Sequence, residues 1–214
     1  MKSGGDKVKR KDILSHTFEK YVAMVESFHG AAAPGVIIGG FMIDLAYQSL
    51  CRDTLYNVIC ETAKCLPDAV QLLTPCSIGN RWLKIVDVGR FALTFYDKNK
   101  GTGVRVYLDN RKTEQWPEIR AWYLKLKPKH MQDSKLLLSQ IREAGTGLFG
   151  IEDIVVDLAS VPKKSSSPIA ICPSCNEAYR AADGAICPAC KEGLLPYTSR
   201  AACWDSALQA ATVP

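Results

Sequence analysis

The chain has 214 residues, 47% of them hydrophobic and 23% charged, with a formal net charge of +5; this is the composition of an ordinary globular protein with ample apolar material for a core, and it excludes disorder of the whole chain. No run approaches the roughly 18 consecutive apolar residues of a membrane span, and MKSGGDKVKRKD lacks the apolar centre of a signal peptide, so the expected location is cytoplasmic, with no membrane partner. Nine cysteines do not imply a secreted disulfide framework: such frameworks belong to shorter chains with even counts, and four of the cysteines here fall in CxxC pairs, so metal and free thiols explain the number better.

In chain order, a basic N-terminal run (Lys2, Lys7, Lys9, Arg10, Lys11) leads into Asp12 to Phe28, where Ile13, Leu14, Phe18, Tyr21, Val22 and Val25 recur at helical spacing and predict an amphipathic helix stopped at His29-Gly30. Pro34 suits a first helical position, and the apolar run from Gly35 to Leu50 predicts a buried second helix in which Gly39-Gly40 permits close packing. Leu55 to Glu61 reads as a strand, and Leu66 to Leu73 as a short helix bracketed by Cys65 and Cys76. Trp82 to Asp87, Phe91 to Tyr96 and Gly103 to Leu108 are rich in β-formers and joined by short connections, which predicts an antiparallel meander. Trp116 to Lys127 and Ser134 to Glu143, the second closed by Gly145, predict two further helices, and Ile154 to Leu158 a last strand at a sheet edge. Helices and strands come in blocks, so the predicted class is α+β, with helices packed on an antiparallel or mixed sheet.

The polar stretch Val161 to Pro168 fits neither neighbour and is read as a linker (161–168) between a core domain (1–160) and a small module (169–200) followed by a tail (201–214). The basic residues between Arg111 and Lys135 are interspersed with Glu114, Glu118 and Asp133, a pattern that a solvated helical face shares with a nucleic-acid surface.

Cys172-Pro-Ser-Cys175 and Cys187-Pro-Ala-Cys190 are two knuckles separated by 11 residues. Each lets two thiolates converge on one ion, and four of them form the closed shell of a structural Zn2+ site with no open position for catalysis. The intervening NEAYRAADGAI is too short to hold much core, so metal supplies most of the folding free energy. A pair of disulfides or a redox CxxC is the alternative, but no thioredoxin-like βαβ pattern surrounds either pair. Cys203, beyond the module, reads as a spare thiol.

Within the core, Ser27-Phe28-His29-Gly30, Cys65 with Asp68, and Thr74-Pro-Cys76-Ser-Ile-Gly-Asn80 gather polar, small and reactive side chains at turns. A helix N-terminus lowers the pKa of a nearby thiol, so Cys65 or Cys76 is expected to be partly thiolate, as a nucleophile or a soft metal ligand.

The strings Phe28-His29-Gly30-Ala-Ala-Ala-Pro34-Gly35, Cys65-Leu-Pro-Asp68-Ala-Val-Gln71-Leu-Leu-Thr74-Pro-Cys76-Ser-Ile-Gly79-Asn80, and Gly89-Arg-Phe-Ala-Leu-Thr-Phe95 with Gly103-Val-Arg-Val106 closely resemble the FmdE family of formylmethanofuran dehydrogenase subunits. The resemblance runs from Thr17 to Val106 and resumes in Cys172-x-x-Cys175-x-Glu177-x-Tyr179 and Pro196-Tyr197. It implies an α+β core with a His/Cys cleft, an appended treble-clef zinc finger and a homodimer, in one-carbon, methanogenesis-related or molybdenum- and tungsten-enzyme metabolism. The fuller family motif reads His-Gly-His-x-Cys-Pro-Gly, whereas this chain has Ala31 and Ala33 in place of the second imidazole and the first thiol. His29, Cys65 and Cys76 remain as donors for a possible second metal, with Asp68, Gln71, Thr74 and Asn80 as hydrogen-bonding support.

Two functions follow. One is an accessory protein that binds a metal or small ligand in the cleft and docks a redox-enzyme partner. The other is a cysteine enzyme acting on a one-carbon or pterin-like substrate, with Cys65 or Cys76 as nucleophile and His29 as base. Nucleic-acid binding is the weaker alternative, since the finger loop offers Arg180 alone against Glu177 and Asp183. The sequence has no dinucleotide-binding glycine fingerprint and no iron–sulfur cysteine run, so dehydrogenase catalysis by this chain alone is not expected.

Overall fold

The hydroxyl of Thr17 accepts the backbone N–H of Lys20 and so starts the first helix, α1, at Phe18–His29, later than the periodicity predicts. In the residues before it, Ile13 and His16 exchange backbone hydrogen bonds and Leu14 N–H donates to the Asp44 carboxylate, so Ile13 reaches the core from a turn instead of a helix. The structure, a computed structural model, describes residues 12–50, 54–161 and 167–196. The basic N-terminal run, most of the linker, Tyr197, Cys203 and the tail lie outside the described residues.

The second helix, α2, is Pro34–Ser49, with proline in its first turn as predicted. Its two central glycines are there for contact. A Cβ on Gly40 would lie 2.4 Å from the Tyr21 ring, and one on Gly39 2.6 Å from the Ala69 side chain. α2 therefore packs close against α1 on one side and, on the other, against α3, Leu66–Leu73.

Strands β1 (Tyr56–Cys60), β2 (Leu83–Ile85), β3 (Ala92–Asp97), β4 (Thr102–Leu108) and β5 (Phe149–Val155) form one mixed sheet in the order β2-β1-β3-β4-β5. The predicted meander is half right. β3 and β4 form the antiparallel hairpin, but β2 runs parallel to β1, with Val58 opposite Leu83, and α3 is the crossover between them. The reason lies in residues 86–90, where the N–H groups of Val86, Val88 and Arg90 bond the carbonyls of Cys60 and Glu61. The connection thus passes around the end of β1 and delivers β3 to its opposite edge. The last strand stands at the sheet edge as expected, but is shifted toward the N-terminus of its predicted range.

α4 (Pro117–Tyr123) and α5 (Ser134–Ala144) complete the core, and α2 lies across β3 and β4. The buried cluster joins Phe18, Tyr21, Phe41, Met42, Leu93 and Phe95 to Ile119 and Ile141. At the Glu61 end of β1, Arg105 donates to both carboxylate oxygens of Glu61, at 2.5 and 2.9 Å, and to Glu152 at 2.8 Å. Those bonds hold the Glu61 carboxyl below the usual glutamate range.

The chain divides into two compact units that meet between Val161 and Pro162. Among the described residues no helix is long and apolar enough to cross a membrane. The architecture is α+β with a mixed sheet, followed by a four-cysteine module.

Candidate functional site: a four-cysteine cluster and a histidine–cysteine cleft

The small unit is built around its sulfurs. Strand β6, Ile169–Ile171, runs into the first knuckle, where Asn176 N–H bonds the Cys172 carbonyl and Cys172 N–H bonds that of Glu177; Asn176 takes a left-handed φ of 60° to close the turn. β7, Ala178–Arg180, returns antiparallel to β6, and Cys187 caps a short final helix, α6, Pro188–Glu192. Knuckle, hairpin and helix together bring the ligand atoms of Cys172, Cys175, Cys187 and Cys190 within 4.8 Å of one another. Sulfurs about 2.3 Å from a common tetrahedral zinc would stand about 3.8 Å apart, and the Cys175 and Cys187 sulfurs are 3.8 Å apart.

The thiols are poised for a cation. Backbone N–H groups of Cys187 and Cys175 aimed at the Cys172 sulfur hold its pKa down to about 6, while the adjacent Cys187 and Cys175 sulfurs push Cys190 up to about 12. All four become thiolates only when a divalent ion compensates their repulsion.

The cleft is assembled from three helix ends in the core. His29 is the last residue of α1, and Gly30 closes that helix in the left-handed conformation with its N–H bonded to the Glu26 carbonyl. Asp68 lies in the first turn of α3, where a carboxylate is favoured by the unpaired N–H groups. The two meet across 39 positions of sequence, with His29 Nδ1 2.5 Å from Asp68 Oδ2, each side chain about one-third exposed (29% and 33%). With Nδ1 occupied, Nε2 is the nitrogen available to a ligand.

Cys65 is the N-cap of α3 and the centre of a tight γ-turn, with φ 59°, ψ −50° and Leu66 N–H bonded to the Lys64 carbonyl at 2.6 Å. This hand of γ-turn is the strained one, and a non-glycine residue in it is uncommon. Room for the side chain comes from α2: a Cβ on Gly35 would lie 2.9 Å from the Cys65 sulfur and 3.5 Å from the Trp122 ring. Glycine at position 35 thus admits the thiol between the start of α2 and the side chain of Trp122. Burial, followed by the charge of Asp68, raises the pKa of Cys65. The expectation of a partly ionised thiol is corrected here, because burial and a nearby carboxylate outweigh the field of one short helix.

Cys76 does not join this group. It lies beyond the other end of α3, 3% exposed, and its thiol donates to the Tyr56 carbonyl at 3.4 Å. It lines a separate cavity of about 270 Å³ with Tyr47, Trp82 and Phe95, and burial raises its pKa as well. The ligand atoms of His29, Cys65 and Cys76 therefore do not converge; among the described residues the four finger cysteines are the group of three or more that does. Gln71, Thr74 and Asn80 are spent on the loop after α3. Gln71 accepts Ile78 N–H, Thr74 accepts Cys76 N–H, and Asn80 accepts Ser77 and Trp82 N–H while donating to the Pro75 carbonyl. Of the supporting residues, Asp68 alone reaches a cleft donor.

Sequence reasoning missed Gly35 and Trp122. The Pro34-Gly35 pair at a helix start was a visible signal, whereas Trp122 had none. A cavity of about 460 Å³ lies elsewhere, among Thr54, Asp97, Lys100 and Asp153, but the Asp97 carboxylate there is already committed to the N–H groups of Asn99 and Lys100.

Comparison with known proteins fits this division. Residues 28–155 match the family described as "FmdE, Molybdenum formylmethanofuran dehydrogenase operon", and residues 163–198 match "FmdE treble clef zinc finger". The crystal structure of an FmdE-like protein of tungsten formylmethanofuran dehydrogenase, from Syntrophus aciditrophicus, superimposes with a TM-score of 0.80 at 48% identity, covering 87% of this chain and 98% of that one. A "Probable S-adenosyl-L-methionine-binding protein" of Archaeoglobus fulgidus is 30% identical over 180 residues, 74% of this chain and 49% of the relative, so the chain spans about half the length of that protein. The chain belongs to the FmdE family, in the form that carries a C-terminal treble-clef zinc finger.

Proposed function

We propose that this protein is an accessory component of one-carbon or molybdenum- and tungsten-enzyme metabolism, and that its cleft binds a small ligand, or a metal arriving with ligands of its own, between Cys65 and His29. The observation that carries the reading is the His29–Asp68 pair at 2.5 Å, which fixes the imidazole beside a thiol that Gly35 makes room for. A carboxylate behind a histidine is the arrangement that orients an imidazole toward a metal or a hydrogen-bonding ligand. The residues do not fit a complete protein-only metal site, which takes three or four donors; Ala31 and Ala33 supply none, and Cys76 faces the Tyr56 carbonyl. Binding is favoured over nucleophilic catalysis because burial keeps both core thiols protonated.

In the same proposal the finger is structural and presents a docking surface. Ile169, Ile171 and Leu194 on it are 66%, 59% and 62% exposed, which suits contact with a redox-enzyme partner or a second copy in a homodimer. Free thiols at Cys60, Cys65 and Cys76 suit a reducing, cytoplasmic setting. S-adenosyl-L-methionine is not carried over from the Archaeoglobus relative, whose chain is about twice as long as the part matched here.

The test is metal analysis and native mass spectrometry of the full-length protein beside Cys65→Ala and His29→Ala variants. The expected result is one zinc per chain in all three, from the finger, plus a bound species that both substitutions remove. A wild-type protein that carries nothing beyond the finger zinc, and takes up no metal or small ligand on titration, would sink the reading.

A further inference from the structure

The segment that leaves α4 has no part in the cleft, yet it is built and not loose. α4 ends in a double cap, with Lys125 N–H bonded to the Trp122 carbonyl at 3.3 Å and Leu126 N–H to that of Ala121 at 2.9 Å. This is the Schellman pattern, in which the residue at the left-handed position is usually glycine and the apolar residue after it normally folds back onto the helix. Here the left-handed residue is Lys125, with φ 53°, and Leu126 turns outward, 63% exposed. Leu124, Met131 and Leu136 are 40%, 64% and 46% exposed on the same stretch.

Cations alternate with these side chains. Lys125, Lys127, Lys129 and Lys135 are all exposed. Lys127 pairs with Glu118 at 2.6 Å, but Lys125, Lys129 and Lys135 make no ion pair with a described residue. Asp133, the acid of the segment, is used as the N-cap of α5, accepting Leu136 N–H. The result is a ledge that offers uncompensated positive charge and large aliphatic side chains together. Neither a purely solvated face nor a purely apolar contact explains that combination.

We propose that residues 124–136 are a docking surface for an acidic segment of a partner protein that carries leucine-like side chains beside its carboxylates. Charge complementarity selects the acidity, and Leu124, Leu126, Met131 and Leu136 select the apolar component. Nucleic acid fits less well: its readers use arginine forks and exposed stacking rings, whereas the cations here are lysines and the exposed apolar groups aliphatic. A membrane-seeking surface separates its apolar and cationic faces along one helix; on this ledge the helix has already ended at Tyr123. The ledge also adjoins the cleft, because the Trp122 ring stands 3.5 Å from the same point of Gly35 that the Cys65 sulfur approaches to 2.9 Å. A partner seated there reaches the cleft from its α4 side. The proposal holds whatever the cleft itself binds.

The experiment is fluorescence anisotropy with the full-length, zinc-loaded protein. The probes are a labelled synthetic helix with glutamates and leucines on one face, the same peptide with serines for the leucines, a random-sequence DNA duplex, and phosphatidylserine vesicles. The expected result is saturable binding of the glutamate–leucine peptide, weakened at least about tenfold by Leu126→Ser with Met131→Ser, by Lys125→Glu with Lys129→Glu, and by loss of the peptide's leucines. Thermal unfolding of each variant checks that it is folded; these side chains are exposed, so midpoints should not move. Four outcomes overturn the proposal: no saturable peptide binding, equal affinity for the serine peptide, tighter binding to duplex or vesicles, or folded variants that bind like wild type.

Discussion

Two cysteines occupy the same place in two helices of this protein and meet opposite fates. Cys187 caps α6 in the finger and Cys65 caps α3 in the core. Around the first, three more sulfurs converge and backbone N–H groups hold Cys172 down to about 6; around the second, burial and a carboxylate push a single thiol up. The difference teaches that a helix N-terminus does not by itself make a thiolate. What decides is whether N–H donors point at the sulfur and whether a cation is to be shared. The finger is thus a unit held by a metal, and the core a unit held by packing, with its thiol a passenger of the fold.

The sharpest way to break that comparison is to remove the metal. Chelation, or Cys172→Ser with Cys190→Ser, should unfold the finger completely, since metal binding of about 10 kcal/mol or more supplies its stability. Hydrogen exchange of amides in residues 169–192 then runs at the unprotected rate, and a finger that keeps its protection in chelator refutes the metal-held description. The core answers to packing instead. Gly40→Ala, which sets a Cβ 2.4 Å from the Tyr21 ring, should cost about 3 kcal/mol, read by urea unfolding. Gly30→Ala, with nothing within 4 Å of its Cβ, should cost about 1 kcal/mol for its left-handed φ alone.

A third effect is electrostatic. Arg105 holds the Glu61 carboxyl below its ordinary value of 4.5, so this pair contributes stability above pH 4.5 that is lost as pH falls through the lower, folded-state value. Glu61→Gln should cost about 2 kcal/mol at neutral pH and flatten the acid limb of the stability profile; a variant with the wild-type acid limb would show that other groups carry it. The smallest effect sharpens the comparison most. Asp68→Asn should change stability by less than about 0.5 kcal/mol, because the pair it breaks is partly exposed, yet it should weaken whatever binds at His29 and Cys65. Unchanged binding in Asp68→Asn would separate the pair from function.

The finger was fully legible in the sequence, because four ligands at knuckle spacing fix their own geometry. So were α2, α3 and the edge position of the last strand, where Pro34, the Leu66–Leu73 run and the β-branched stretch each state a local preference. The parallel partner of β2 was not legible. It depends on residues 86–90 turning around the end of β1, a choice made by carbonyls of Cys60 and Glu61 that no periodicity encodes. The cleft was half legible: His29, Cys65 and Asp68 carried a visible pattern, but their pairing spans 39 positions, and Cys76, near in sequence, is turned away by α3. Environments made by distant neighbours such as Gly35 and Trp122 are three-dimensional facts that spacing does not record.

The order of the sheet also bears on how the chain acquires its shape. β3 and β4 are joined by a tight turn and can pair as soon as both exist, but β4 and β5 are separated by about 40 residues at their closest pairing, Leu108 with Phe149. Closing that gap requires α4, the ledge and α5 to be reeled in first, a loop-closure cost that slows assembly. Until β5 arrives, the free edge of β4 is an unpaired strand, and the newly made core is at its most vulnerable to misassociation. Slowing variants should therefore map to α5 and the turn before β5, far from either group of cysteines.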